Sequence, residues 1–202
     1  MSTAIHRGFW FCVLVCGALV LSGCATAPGS GSAQQAKELD QDSGYEQEET
    51  TQQAVDFLGG SAEQIAKLID RAFSDYGRPN AIIKGEEGSG SIVVGLRYGG
   101  GDLLAESGAQ MPVYWQGPSI GWDFGADAGR VFILVYNLPS TDELFQRFAG
   151  VSGSAFFVGG AGMQYLRAGD VVVAPIRVGV GLRLGAAVGY MTFNPERTYN
   201  PF

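Results

Sequence analysis

The side chain with the most definite chemistry in this sequence is the thiol of Cys24. It follows Leu21, Ser22 and Gly23, an aliphatic residue and two small ones, directly after a long apolar run. The other two cysteines, Cys12 and Cys16, and the single histidine, His6, lie upstream of that point. A cut before Cys24 therefore leaves a chain without imidazole and without an unmodified thiol. Ser-His-Asp triads, Cys-His pairs and the usual zinc sites each need one or the other, so these chemistries are removed. No catalytic residue, metal site or cofactor is expected, and only Ser-Lys or carboxylate-only chemistry stays open.

Other residues suggest binding. Val94-Gly95-Leu96-Arg97-Tyr98-Gly99 is echoed by Val180-Gly181-Leu182-Arg183-Leu184-Gly185, too short to establish duplication. The echo puts Arg97 and Arg183 at matching points of two strands that lie close if the sheet closes on itself. Such a pair would suit an anionic headgroup or a sugar acid, against the plainer reading of outward arginines in surface pairs. Tyr114, Trp115 and Trp122 could stack on sugar rings or acyl chains, or simply fill a core. Asp102, Glu106, Asp123 and Asp127 could supply two carboxylates for glycan cleavage, given a suitable separation. Gly179-Val180-Gly181 with Gly185 is no nucleotide fingerprint, because strand alternation runs straight through it instead of turning into a helix. No nucleic-acid partner is expected.

The elements that carry these residues begin with an export signal. Met1 to Arg7 holds a cation and no acid, and Gly8 to Val20 is an unbroken apolar run. It falls short of the about 20 residues that span a bilayer. With Leu21 to Cys24 it resembles the bacterial lipobox, giving a lipoprotein signal peptide over residues 1–23 and acyl chains, palmitate among them, on Cys24. Two or more chains make a stable anchor. Ala25, where an inner-membrane retention signal would show Asp, favours the periplasmic face of the outer membrane.

Residues 24–60 read as an acidic, low-complexity tether. From Ala25 to Gly60, seven acids stand against Lys37, a net of 1 − 7 = −6, nearly the whole −7 of the chain. Such a segment buries too little to offset its ordering entropy, and as a coil would reach roughly 30 to 36 Å. The folded domain is placed at residues 61–202. Ser61 and Gln64 look like a capping box, followed by Ile65, Leu68, Ile69, Ala72, Phe73 and Tyr76 at helical spacing up to Gly77 and Pro79.

Period-two segments come next. Ile92–Tyr98, a turn at Gly99-Gly100-Gly101 and Asp102–Ala105 read as a hairpin. Val113–Phe124 reads as a long strand broken at Gly117-Pro118, and Arg130–Leu138 as a strand buried on both faces. A short helix is expected after Ser140, with Glu143 completing a capping box, Leu144, Phe145 and Phe148 buried, and Gly150 as its stop. Strands then run from Ser152 to Leu166, Asp170 to Val178 and onward to Phe193. In the last stretch Val178, Val180, Leu182, Leu184, Ala186, Val188 and Tyr190 fall on one face; Arg177, Arg183 and small residues fall on the other. The small-residue face suits a tight barrel corner or the cover of the helix after Ser61. The fold expected is mainly β (α+β): a small antiparallel β-barrel with an N-terminal covering helix and one short internal helix.

The runs VYWQGPSIGWDFG, RVFILVYNL, DELFQRFAGVSGSAFFVGG and GDVVVAPIRVGVGLRLGAAVGY, with the terminal NPF, resemble a proteobacterial family of periplasmic domains of unknown function that includes envelope integrity protein A. The likeness covers Ala54 to Phe202. It implies a small periplasmic β-barrel linked to envelope integrity, and supplies no catalytic residues to carry over. RVFILVYNLPSTDELFQRF also resembles, in pattern more than identity, lipid-binding domains of the SYLF type. The reading is a lipid-anchored periplasmic protein that binds or scaffolds a lipid, glycan or protein of the envelope without catalysis. Its membrane contact is through N-terminal acyl chains. The alternatives are a SYLF-like lipid-binding domain, a carboxylate-only cell-wall glycan hydrolase and an integral outer-membrane barrel, the last opposed by Pro195 and Pro201 in the final segment.

Overall fold

The computed structural model describes residues 43–91, 94–120, 125–179 and 189–198. Leu21, Ser22, Gly23, Cys24, Trp122, Asp123 and Arg183 lie outside the described residues, as does most of the alternating run after Gly179.

Eight strands among the described residues form one closed antiparallel barrel. They are β1 (Ala81–Ser91), β2 (Val94–Ala105), β3 (Gln110–Ile120), β4 (Gly125–Tyr136), β5 (Arg147–Val158), β6 (Ala161–Ala168), β7 (Val171–Val178) and β8 (Tyr190–Asn194). Their order is β1-β2-β3-β8-β5-β6-β7-β4, and pairing of β4 with β1 closes the ring. A barrel of this size is filled by its own side chains, supplied by alternate residues of each strand. Ile83, Leu103, Val113, Trp115, Ile133, Phe148, Val173 and Phe193 form that interior cluster. The intervening residues of β4, β6 and β7, among them Ile82's neighbours Phe132 and Leu134 with Met163, Val172 and Ile176, form a second cluster outside.

That outer cluster is covered by two helices, α1 (Gln47–Leu58) and α2 (Ala62–Tyr76). In α2 the expected stripe is buried, with Ile65, Leu68, Ile69 and Ala72 facing the barrel. Its end is fixed by Asp75, which accepts from Arg71 Nε at 2.8 Å and from the Tyr165 hydroxyl at 2.9 Å. The Tyr76 ring packs at 4.8 Å on Tyr165 and 5.4 Å on Tyr136. The capping box does not form. Ser61 makes no side-chain cap bond, and Gln64 instead accepts from the Gly160 N–H at 3.2 Å, joining the helix to the β5–β6 turn.

Helix α1 corrects the expected tether, whose second half is folded. Thr50 and Ala54 are buried, Phe57 and Leu58 pack on the outer cluster, and the exposed side is laced by Gln53–Glu49 and Gln52–Asp56 hydrogen bonds of 2.9 and 2.8 Å. A narrow apolar stripe was enough because the barrel supplied the rest of the buried surface. Gly59, at φ 70°, ends α1 by donating to the Val55 carbonyl.

Four further expectations change. The glycine triplet 99–101 is no turn; β2 runs through it, paired with β1 from Ala81–Ala105 to Gly90–Leu96. The short helix shrinks to one 3-10 turn, Thr141–Leu144, and Phe148 belongs to β5 with its ring inside the barrel. The strand expected over Ser152–Leu166 is two strands, β5 and β6, joined by a turn at Gly159-Gly160. Helix α2 covers the side of β7 formed by Val172, Ala174 and Ile176, not the side of Arg177, which points inward.

Candidate functional site

Alternation along β1 carries Ala81, Ile83 and Gly85 into the barrel, and the next inward residue is Glu87. Register sets Glu87 opposite Gly99 of β2 and Gly129 of β4, neither of which presents a side chain. Two residues along β2 from Gly99 stands Arg97, and across β4 stands Arg177 of β7. Both guanidiniums converge on the one carboxylate. Arg177 donates to it twice, Nε to Oε1 and Nη2 to Oε2, the latter at 3.1 Å. Trp115 Nε1 donates to Oε2 at 3.2 Å.

The glycines of β1 and β2 explain why the indole can reach. A Cβ at Gly99 would strike the Trp115 ring, and one at Gly85 would come within 2.6 Å of its Cη2. Trp115 therefore lies across two bare stretches of backbone, braced by Phe193 at 6.0 Å between ring centroids.

Charge in this group does not balance. Arg97 Nε is 3.4 Å from Glu87 Oε1 without hydrogen-bond alignment, is buried, and has no hydrogen-bond acceptor. Burial alone would raise the Glu87 carboxyl, but attraction to Arg177 and Arg97 and the bonds from Arg177 and Trp115 outweigh it, holding the group below the usual carboxylate range. Repulsion by Arg177, then burial, brings Arg97 down to about 10, against the pull of Glu87. Among the described residues the cluster is two cations on one anion at neutral pH, a net of 2 − 1 = +1. Solvent reaches it: the Arg97 side chain is 24% exposed, against 11% for Glu87 and 15% for Arg177. Phe157, 36% exposed, lies opposite Gly162, itself opposite Arg177, on the same interior row.

A second feature lies outside the same strands. On the outer face, Gly100 stands between Glu86 of β1 and Tyr114 of β3. The missing side chain leaves a trough, closed at one end by Tyr98 and Gln116 and at the other by Asp102 and Pro112. Asn194, Arg197 and Thr198, at and after the end of β8, complete a cleft of about 430 Å³. The Tyr114 ring lies over Gly100, and the Arg197 guanidinium is 5.4 Å from its centroid.

The residues singled out in the sequence thus divide. Arg97 and Trp115 come together inside the barrel, while Tyr114 faces the outer cleft. The arginine that pairs with Arg97 among the described residues is Arg177. Of the carboxylates considered for glycan cleavage, Asp102 lines the outer cleft and Glu106 accepts from Ser43 Oγ at 2.7 Å. Asp123 and the side chain of Asp127 lie outside the described residues. Glu87 went unselected in the sequence, although counting by twos from Ala81 would have placed it inside.

The family model described as Envelope integrity protein A matches residues 43–202, which takes in α1 as well as the barrel. A crystal structure of a β-barrel-like, uncharacterised protein from Brucella abortus is similar at 43% sequence identity with a TM-score of 0.72, over 79% of this chain and 99% of that one. No protein with a curated description matches the chain.

Proposed function

The chain belongs to the envelope integrity protein A family, and from that premise we propose that it is a lipid-anchored, non-catalytic envelope protein whose barrel interior binds an anionic lipid headgroup. The observation that carries this reading is Arg97, whose buried Nε has no hydrogen-bond acceptor while its side chain as a whole stays 24% exposed. A phosphate or carboxylate entering there would take the charge-assisted bonds that Glu87 leaves unmade. Phe157 on the same row offers apolar surface beside the charge, as an amphiphile needs. The absence of catalysis is supported by Glu87 itself: clamped by two arginines and held ionised, it is a poor proton donor for glycan cleavage. An embedded barrel fits less well, because two helices and charged residues such as Glu86 and Asp102 occupy the outer face that lipid would touch. Among the described residues no helix is long and apolar enough to cross a membrane.

The anchor is Cys24, with the periplasmic face of the outer membrane as its site. Cys24→Ser should abolish acyl labelling and move the chain from the membrane to the soluble fraction; a variant that stays with the membrane sinks the anchor. The released chain then tests the headgroup site by co-sedimentation with phosphatidylglycerol or phosphatidylcholine vesicles. Retention on the anionic vesicles at least tenfold greater, and lost on Arg97→Gln, is expected. Equal retention on both, or none on either, overturns the headgroup reading.

A further inference from the structure

We propose that the outer cleft over Gly100 is a carbohydrate site, sized for one or two rings of a neutral or weakly charged glycan. It draws its polar groups from the other face of β2 and β3, although Gly99, Gly101 and Trp115 of the inward row also touch it. Its chemistry argues against a second anion site: among the described residues Glu86 and Asp102 oppose one cation, Arg197, so the lining repels phosphate. It argues equally against an acyl chain, since among the described residues no Leu, Ile, Val or Met contributes to the lining.

What the cleft offers matches a sugar ring. A pyranose presents hydroxyls, each both donor and acceptor, around a ring with apolar C–H faces. The carboxylates of Glu86 and Asp102 accept, the Arg197 guanidinium and the Asn194 amide donate, and Tyr114 gives an aromatic surface. Asn194 lines the cleft and its Nδ2 is buried without a hydrogen-bond acceptor, a need that a ligand hydroxyl meets once the amide turns toward it. The volume of about 430 Å³ suits one or two rings. The trough exists because residue 100 is glycine: a Cβ there would come within 2.9 Å of the Tyr114 ring and displace it.

The test uses the mature Cys24→Ser chain and an array of bacterial surface oligosaccharides, with saturation-transfer NMR on any that bind. At least one neutral oligosaccharide should bind, losing tenfold or more in affinity on Tyr114→Ala and severalfold on Asp102→Asn. Asp102 is exposed, so its variant keeps the fold and provides a reading if Tyr114→Ala does not. Arg97→Gln should leave glycan binding unchanged. Failure of every oligosaccharide at millimolar concentration overturns the proposal. So does binding that survives both cleft variants, or that Arg97→Gln abolishes, which would assign the glycan to the interior.

Discussion

The two halves of the barrel differ in how their strands are used. In β4 and β7, residues 131–136 and 171–176 are buried without a break, inward into the barrel and outward beneath α1 and α2. In β2 and β3 inward residues such as Leu103, Val113 and Trp115 are buried while outward ones, such as Asp102, Gln110 and Pro112, meet solvent. Over residues 131–136 and 171–176 the covered half is apolar on both faces, and it gives the polar cluster one member, Arg177 near the end of β7. The bare half carries the glycine gaps, the buried ion cluster and the cleft. One half holds the ring closed, and the other is free to bear the polar groups that a uniformly packed barrel would exclude.

The widest separation between the halves should appear in stability. Leu134, fully buried between β4 and the helices, should cost about 4 kcal/mol on truncation to alanine, the usual range for a core leucine. Tyr114→Ala, at the cleft, should cost less than about 1 kcal/mol. Urea unfolding of the two variants measures both. Comparable losses would show that the bare half contributes to the closed ring as much as the covered one.

These differences also governed what could be read from residues alone. The covered half was legible: the stripe Ile65, Leu68, Ile69, Ala72 gave α2, and RVFILVYNL gave a strand buried on both sides. Burial repeats with the period of the element, so it is written locally. The bare half was not. Three successive glycines signal a reversal, and only the tertiary position of Trp115 and Tyr114 reveals that they keep a strand flat beneath two rings. Glu87 sits in Lys84-Gly85-Glu86-Glu87-Gly88, which looks like a solvated acidic run until register sends Glu87 inward against Arg97 and Arg177. Arg97 and Trp115 could be picked out by type, but their shared partner could not. Helix α1 was missed for a similar reason, since the surface it covers belongs to another part of the chain.

The ion cluster gives the next prediction. Glu87→Gln removes the anion that, among the described residues, lies between the two cations Arg97 and Arg177, and should destabilise the fold by about 3 kcal/mol at neutral pH. Its pH signature follows from the lowered carboxyl. A folded-state value below the unfolded one, which is about 4.3, contributes stability above that pH and loses it as pH falls through the folded value. The parent chain should therefore lose stability more steeply than Glu87→Gln below about pH 4. Parallel acid limbs for the two proteins would mean that the carboxylate is not what balances the arginines.

The smallest effect compares two glycines facing the same carboxylate from neighbouring strands. Gly99→Ala would drive a methyl into the Trp115 indole, and relaxing that clash should cost about 2 kcal/mol and shift the tryptophan emission. Gly129, across β1, has open space where its Cβ would go and a backbone that alanine adopts, so Gly129→Ala should be neutral or stabilise by about 0.5 kcal/mol. Thermal unfolding followed by fluorescence reports both. If the two substitutions behave alike, the glycines of β2 act through backbone freedom. If they diverge as expected, the glycine at 99 is there to seat an indole beside Glu87, and the bare half of the barrel is shaped around its polar cluster.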